Sequence, residues 1–164
     1  SIDQAINLAN IVCGNNVELV LLIEEQALVD AVREWLGRKQ NLHYKPRVFV
    51  YSGNLFDDLL AVRADCALLI FILPNIYTAN VVQDDYANVL RCLHLKNSVM
   101  LDVRICVLLH LSEHRPLLES CGINGASDVI CADEFKCSVL TKSCFLPGFS
   151  TLVCNLFKTI GGSL

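Results

Sequence analysis

The sequence of 164 residues lacks the short motifs that identify most α/β enzymes. It contains no G-x-G-x-x-G turn, which a dinucleotide-binding domain needs so that its backbone N–H groups can reach the pyrophosphate. It also contains no G-x-S-x-G elbow, which presents the nucleophilic serine of an α/β hydrolase. We therefore expect a protein that is not an enzyme.

Charge and long apolar runs are also scarce. Charged residues make up 18% of the sequence, against about 25% in an average soluble protein. The net charge of −4 and the scattered basic residues give no electrostatic basis for binding nucleic acid or an anionic membrane. The longest apolar runs, Val17–Ile23 and Cys66–Leu73, are much shorter than the roughly 20 residues that span a bilayer. Any connection to a membrane must therefore lie outside this chain.

Cysteine is abundant, but its spacing does not indicate zinc or a disulfide framework. The nine cysteines include no C-x-x-C pair and no Cys/His cluster with zinc-ligand spacing. Their number is odd and no signal peptide precedes them, so we interpret them as reduced thiols of a cytoplasmic domain. Six lie among aliphatic neighbours and are predicted to be in the core: Cys66, Cys92, Cys106, Cys131, Cys144 and Cys154.

Apolar residues make up 54% of the sequence and form strands that alternate with amphipathic helices. Such alternation, with strands that are apolar throughout, is typical of a mostly parallel sheet covered by helices on both faces. We predict a Rossmann-like, doubly wound α/β fold. The expected strands are Val17–Ile23, Arg47–Tyr51, Cys66–Leu73, Val103–Leu109 and Asp128–Cys131. The expected helices are Ile2–Val12, Gln26–Arg38, Leu55–Val62, Val82–Lys96, Glu113–Cys121, Asp133–Phe145 and Phe149–Lys158.

The predicted organisation is a core of residues 1–146 followed by a crossover and interface helix in residues 147–164. Pro147-Gly148 marks the boundary. The first predicted element is a helix, whereas a Rossmann fold starts with a strand. We infer that the first strand lies upstream of residue 1, or that Ala9–Val12 is itself a strand.

Acidic pairs are the main candidates for ion chemistry. Asp57-Asp58 and Asp84-Asp85 are the adjacent aspartate pairs. Two carboxylates at a loop or helix start can bind a hard cation such as calcium, but they also suit a helix N-terminus, and solvated capping is the favoured interpretation. His110 and His114 are four residues apart at a strand-to-helix junction and are expected to be surface or junction histidines. Glu24-Glu25 would suit a receiver domain, but Cys66–Leu73 ends without the required aspartate.

Four segments of the second half resemble one family. They are Asp84–Asn97, with its acidic pair and closing Lys-Asn, Asp128–Lys136, Lys142–Cys144 and Pro147–Phe157. Together they are similar to the first RCK domain, a regulator of potassium conductance, of Slo-type calcium-activated potassium channels. Val17–Ile23 and the strands after it fit the earlier strands of that domain in order, more loosely.

This resemblance implies a cytoplasmic gating-ring domain that couples the binding of an intracellular ligand or ion to pore opening. The implied partners are further copies in a tetrameric channel and the second RCK domain of the same channel. The alternatives are a stand-alone nucleotide-binding Rossmann protein, or an RCK-type domain of a bacterial-type potassium channel or transporter. The implied interface residues are Cys144, Phe145, Phe149, Leu152, Val153, Leu156 and Phe157.

The resemblance also implies candidate metal ligands, with calcium as the candidate ion. Asn88 matches a position that approaches a neighbouring calcium site, and Asp84 and Asp85 lie beside it in sequence. Glu18 matches a position linked to magnesium, but its partner position on the next strand is Phe49. The stretch Cys13-Gly14-Asn15-Asn16 stands where calcium-activated members have an acidic cluster, and it contains no carboxylate.

Overall fold

The computed structural model describes residues 17–59, 62–98, 103–120, 122 and 128–159, with the side chains of residues 157–159 excepted. The chain divides into two compact units. Unit 1 comprises residues 1–62 and 153–164, and unit 2 comprises residues 63–152. The predicted helix Ile2–Val12 and the stretch Cys13-Gly14-Asn15-Asn16 lie outside the described residues.

Unit 1 contains a strand–helix–strand motif. Strand β1 (Leu19–Ile23) pairs in parallel with β2 (Val48–Ser52), and the register runs from Leu19 opposite Val48 to Ile23 opposite Ser52. Helix α1 (Gln26–Gly37) connects them. A parallel pair needs such a crossover, because a tight turn can join only antiparallel strands.

The packing of α1 follows from its apolar spacing. Val29, Val32 and Leu36 recur at helical intervals and are buried. Val32 and Leu36 form a core cluster with Val48, and partly buried residues such as Trp35 pack around it. This one-sided burial is what an amphipathic helix on a sheet requires.

Unit 2 contains a second parallel sheet, with strand order β3-β4-β5. The strands are β3 (Leu69–Ile72), β4 (Arg104–Leu109) and β5 (Val129–Cys131). Helix α2 (Val81–Ser98) connects β3 to β4, and α3 (Arg115–Ser120) lies between β4 and β5. The prediction of an α/β fold with parallel strands and connecting helices is therefore confirmed.

The start of α2 is fixed by a local cap. Asn80 Oδ1 accepts a hydrogen bond from the backbone N–H of Gln83 at 3.1 Å, which satisfies one of the N–H groups that a helix leaves free at its start. Val89, Cys92 and Leu95 of α2 are buried, as are Val107 and Leu109 in the central strand β4. The core of unit 2 thus lies around β4.

Two helices follow β5. Helix α4 (Ala132–Phe145) is joined to α5 (Phe149–Thr159) by a short turn. Gly148 has a φ of 86° in this turn, a left-handed conformation that glycine adopts without a steric penalty. The boundaries of both helices agree with the prediction to within one residue.

Two local predictions were wrong. The described part of Leu55–Val62 forms turns rather than a helix, and Asn54 Oδ1 accepts a hydrogen bond from Phe56 N–H at 3.1 Å, the local bond of an asparagine turn. Ala64–Cys66 is a 3-10 helix, so β3 starts at Leu69 rather than Cys66. Among the described residues, no helix is both long enough and apolar enough to span a membrane.

Candidate functional site

The carboxyl ends of β3, β4 and β5 lie on one edge of the unit 2 sheet, because the strands are parallel. In open α/β sheets this is the edge where ligands usually bind. Polar side chains converge here from α2, from the segment after β4 and from the start of α4. We call Asp84, Asp85, His110, His114 and Asp133 the strand-edge cluster.

Asp85 is the centre of this cluster and is fully buried, with 0% of its surface exposed. Its Oδ1 accepts a hydrogen bond from the backbone N–H of His110 at 2.8 Å. Its Oδ2 accepts one from the backbone N–H of Leu111 at 3.0 Å and one from Nδ1 of His114 at 2.8 Å. A carboxylate can only accept, so Nδ1 is the protonated nitrogen of His114. Asp85 therefore ties α2 to the segment that follows β4.

Asp84 makes the corresponding contacts toward β3. Its Oδ2 accepts a hydrogen bond from the backbone N–H of Asn75 at 2.8 Å and lies 3.1 Å from Nε2 of His110. Both side chains of the Asp84–His110 pair are largely buried. The two adjacent aspartates thus hold the segments after β3 and after β4 against the N-terminal part of α2.

Asp133 holds the same segment from the other side. Its Oδ2 accepts hydrogen bonds from the backbone N–H and the hydroxyl of Ser112 at 2.9 and 2.7 Å, and its Oδ1 accepts one from the N–H of Glu134 at 2.7 Å. Burial by itself would raise the pKa of Asp133, but the hydrogen bonds from Ser112 and Glu134 outweigh it and the pKa is lowered. The ionised form of Asp133 is therefore the one that the fold stabilises.

Asn88 lies one helical turn after Asp85 and is also fully buried. Its Oδ1 accepts a hydrogen bond from a guanidinium nitrogen of Arg91 at 2.9 Å. Its Nδ2 has no hydrogen-bond partner in the part of the chain that the structure describes. The Asn88 atom without a partner among the described residues is thus a hydrogen-bond donor, whereas a cation binds to the lone pairs of oxygen atoms.

Glu18 belongs to unit 1, where it is exposed and directly precedes β1. Phe49 lies opposite Val20 in the strand register. Val20 comes two residues after Glu18, so Glu18 and Phe49 are on the same face of the sheet. Of the four predicted metal ligands, the structure places Asp84, Asp85 and Asn88 together on α2. Among the described residues, no group of three or more His, Cys, Asp or Glu side chains is placed to hold a metal ion. Metal binding by these four residues remains a prediction.

The expectation of solvated capping was wrong for Asp85, which is buried and spans to another segment rather than to its own helix end. The expectation for the histidines was right in part. His110 does lie at the junction after β4, but His114 is buried and contacts the ring of Tyr86, with ring centroids 5.1 Å apart. The sequence showed only that the two histidines are four residues apart. It did not show that Asp84 and Asp85 are their hydrogen-bond partners.

The predicted interface residues follow the core in α4 and α5. None of the fourteen residues of α4 is buried. Cys144 is exposed and Phe145 is 79% exposed. In α5, Leu152 and Leu156 are exposed, Phe149 and Val153 are half-buried, and the side chain of Phe157 lies outside the described residues. We call residues 144–157 of these helices the α4–α5 surface.

Cysteine burial was predicted correctly for half of the six candidates. Cys92, Cys106 and Cys131 are buried in unit 2. Three others are exposed instead, because they lie on the 3-10 helix before β3 or on the outer sides of α4 and α5: Cys66, Cys144 and Cys154.

Comparison with known proteins gives consistent matches. Residues 127–163 match the family model described as the calcium-activated BK potassium channel alpha subunit. The chain is 34% identical over 116 residues to the calcium-activated potassium channel slo-1 of Caenorhabditis elegans, covering 68% of this chain and 10% of that protein. It is 33% identical over 112 residues to slowpoke of Drosophila melanogaster, covering 65% of this chain and 9% of that protein. The chain thus spans about a tenth of the length of these relatives.

A solved structure agrees with these matches at the level of the fold. The human SLO3 gating ring superposes with a TM-score of 0.68 over 91% of this chain and 25% of that chain, at 22% sequence identity. At this identity the likeness supports a shared Rossmann-like fold.

Proposed function

The chain belongs to the Slo family of potassium channels as an RCK-type domain, and we propose that it is a cytoplasmic regulatory domain that couples intracellular ligand binding to pore opening. The matched relatives are potassium channels. A regulatory domain acts on a pore when a ligand binds one of its states better than another and so shifts their populations.

The observation that carries this proposal is the α4–α5 surface. Phe145, Leu152 and Leu156 are exposed large apolar residues within twelve positions of one another. Exposed large apolar residues that group together mark protein–protein interfaces in soluble proteins, and Phe145 and Leu152 both belong to unit 2. The match to the channel family model covers the same segment, residues 127–163.

We propose that this surface is covered by other domains of a ring. The proposed partners are further copies of the chain in a tetrameric channel and the second RCK domain of the same polypeptide. The spacing of Phe149, Leu152, Val153 and Leu156 places them along one face of α5, which suits a helix packed against a neighbour. The proposed connection to the membrane runs through a pore domain outside this chain.

We propose that the strand-edge cluster is a rigid anchor within the domain. Both carboxylate oxygens of Asp85 are engaged by donors from the segment after β4, and Oδ2 of Asp84 is engaged as well. A calcium ion at these groups would have to displace those hydrogen bonds. Binding of calcium by Asn88 or by the aspartates remains a prediction. Calorimetric titration of the chain with calcium tests it, with Asp85→Asn as the variant.

The same arrangement disfavours the alternative of a nucleotide-binding Rossmann protein. The carboxyl edge of the unit 2 sheet, where ligands of open α/β sheets usually bind, holds the carboxylates of Asp84, Asp85 and Asp133. These anions would repel a phosphate. Titration with NAD in parallel with calcium tests this alternative directly.

A chimeric channel tests the proposed function. The matched segment of the worm slo-1 channel would be replaced by this chain, and the half-activation voltage would be measured in inside-out patches with and without calcium. Phe145→Glu would place a charge in the proposed interface, whereas Leu68→Glu, at a residue that is 85% exposed, is the matched control. We expect the first variant to shift the half-activation voltage and the second to leave it unchanged. A conducting chimera in which both variants gate like their parent contradicts the proposal.

A further inference from the structure

The turn between α4 and α5 consists of Leu146, Pro147 and Gly148, and its soft position is the glycine. Pro147 has no N–H and therefore ends the hydrogen-bond ladder of α4. Leu146 has the extended backbone that a residue before proline adopts, with a φ of −121° and a ψ of 101°. Gly148, with a φ of 86°, can take many other backbone angles at little cost. Rotation at Gly148 therefore sets the direction in which α5 leaves the turn.

A side-chain contact crosses this turn. The Nζ atom of Lys142, in the last turn of α4, lies 5.9 Å from the centre of the Phe149 ring, at the start of α5. A lysine ammonium within about 6 Å of an aromatic face is attracted by the negative charge of that face. Both residues belong to unit 2, so the contact lies within one compact unit.

The two helices offer Lys142 no nearby carboxylate. The acidic residues of α4, Asp133 and Glu134, lie in its first turn, which is about 12 Å from Lys142 along the helix axis. Both are already bonded to other segments, and α5 contains no acidic residue. The Phe149 ring is thus the partner that the two helices give to the Lys142 ammonium.

We propose that the Lys142–Phe149 contact is a latch that biases the direction of α5 about Gly148. The glycine supplies the rotation, and the attraction between ammonium and ring favours the orientation that the structure shows. A contact of this kind near the surface shifts an equilibrium by only about two- to fivefold. The latch therefore biases the turn without locking it, so that a second direction of α5 stays accessible to a binding partner.

This inference deepens the proposed function and, for gating, rests on it. Phe145 of the α4–α5 surface lies before the turn, and Leu152 and Leu156 lie after it. Rotation at Gly148 changes how these apolar side chains are arranged, and so changes the surface that a neighbouring domain meets. Acetylation of Lys142 would remove its charge and release the latch.

NMR of the lysine side chains tests the latch in the isolated chain. Reductive methylation with ¹³C-formaldehyde labels each lysine amine and keeps its charge, and a methyl group above an aromatic face resonates upfield. The Lys142 signal, identified by its loss in Lys142→Arg, should lie upfield of the signal of Lys136, an exposed lysine of the same helix. Phe149→Leu should abolish this difference and leave the Lys136 signal unchanged. A Lys142 signal that does not respond to Phe149→Leu, in a variant with the circular dichroism spectrum of the parent, overturns the inference.

The chimeric channel tests whether the latch acts on gating. Lys142→Gln and Phe149→Leu should each change the gating equilibrium at a fixed voltage by about two- to fivefold. The double variant should change it no further, because both substitutions remove the same contact. Lys142→Arg keeps a cation and should behave like the parent, and Lys136→Gln is the control for the loss of a positive charge from α4.

The outcomes separate the latch from the proposed function. Additive effects of Lys142→Gln and Phe149→Leu, or an equal change in Lys136→Gln, overturn the latch as a gating element. A chimera that responds to Phe145→Glu but not to Lys142→Gln also overturns it and leaves the proposed function standing. A chimera that responds to neither contradicts both.

Discussion

The two ends of helix α4 differ in how their side chains are used. At its start, the half-buried Asp133 accepts three hydrogen bonds from Ser112 and Glu134 and belongs to the strand-edge cluster. Toward its end, Phe145 is almost fully exposed and the helix buries no residue. The carboxylate at the start of α4 is thus fixed by donors of its own chain, while the apolar ring at its end is left exposed.

This difference separates internal structure from assembly. A buried carboxylate is stable only when donors satisfy it, and the strand-edge cluster supplies these donors from its own chain. An exposed phenylalanine gains by burial, and the described residues offer no cover for Phe145. The first region should therefore respond to mutation in the isolated chain, and the second only when its partners are present.

The largest effect is expected from Asp85→Ala. The change leaves the N–H groups of His110 and Leu111 and Nδ1 of His114 without their acceptor. Removing one side of a buried charged network costs about 3–5 kcal/mol. Urea denaturation followed by circular dichroism should show this loss in the free energy of unfolding.

Glu119→Gln on the surface of α3 is the control for this variant, because Glu119 is exposed. It should change the free energy of unfolding by less than about 0.5 kcal/mol. If Asp85→Ala is as mild as this control, the strand-edge cluster is not the anchor of the domain and the contrast with the α4–α5 surface fails.

A smaller effect is expected from Asp133→Asn, which weakens the charge-assisted hydrogen bonds from Ser112. The expected loss in the free energy of unfolding is about 1–2 kcal/mol at pH 7. Because the folded-state pKa of Asp133 is lowered, its contribution is complete above the ordinary aspartate pKa of about 3.9 and is lost as the pH falls through the folded value.

The difference between wild type and Asp133→Asn should therefore shrink below about pH 4. Urea denaturation at pH 7, 5, 4 and 3 measures it. A difference that stays constant over this range would show that Asp133 acts through packing rather than through its charge.

The smallest effect is expected at the other end of the helix. Phe145→Ser should change the free energy of unfolding of the isolated chain by less than about 0.5 kcal/mol, because the ring is 79% exposed. Leu118→Ala in the core of unit 2, where the side chain is fully buried, should cost about 2–5 kcal/mol. A large loss in Phe145→Ser would mean that the ring packs within the domain, and the same denaturation assay detects it.

Sequence patterns were sufficient for elements whose apolar spacing agrees with their burial. The helix Gln26–Gly37 was predicted to within one residue and the strand Leu19–Ile23 to within two, and Val29, Val32 and Leu36 form a regular buried stripe on the helix. The segment Leu55–Val62 was mispredicted because its apolar spacing did not show that Asn54 starts a turn, in which Asn54 Oδ1 accepts a hydrogen bond from Phe56 N–H.

The strand-edge cluster could be predicted only in part. Asp84 and Asp85 stood out as a pair, but Asp85 is 25–29 residues from its donors. No periodicity links such distant positions, and only the parallel order of β3, β4 and β5 brings them together. The burial prediction was wrong for Cys144, which is exposed, because an apolar neighbourhood in the sequence does not show whether the same chain or another one covers the residue. The family resemblance had implied an interface at this position.

The most direct test of the account measures whether the α4–α5 surface is covered in an assembled channel. A maleimide reagent would label the reduced chain alone and the chimeric channel in membranes, and peptide mapping would follow Cys144. Cys66 is the exposed control, and Cys106 is the slow one, because burial shields its thiol and raises its pKa. We predict that Cys144 reacts as fast as Cys66 in the isolated chain and at least about tenfold more slowly in the channel, with Cys66 unchanged. Equal labelling of Cys144 in both states would contradict the assignment of this surface as an interface.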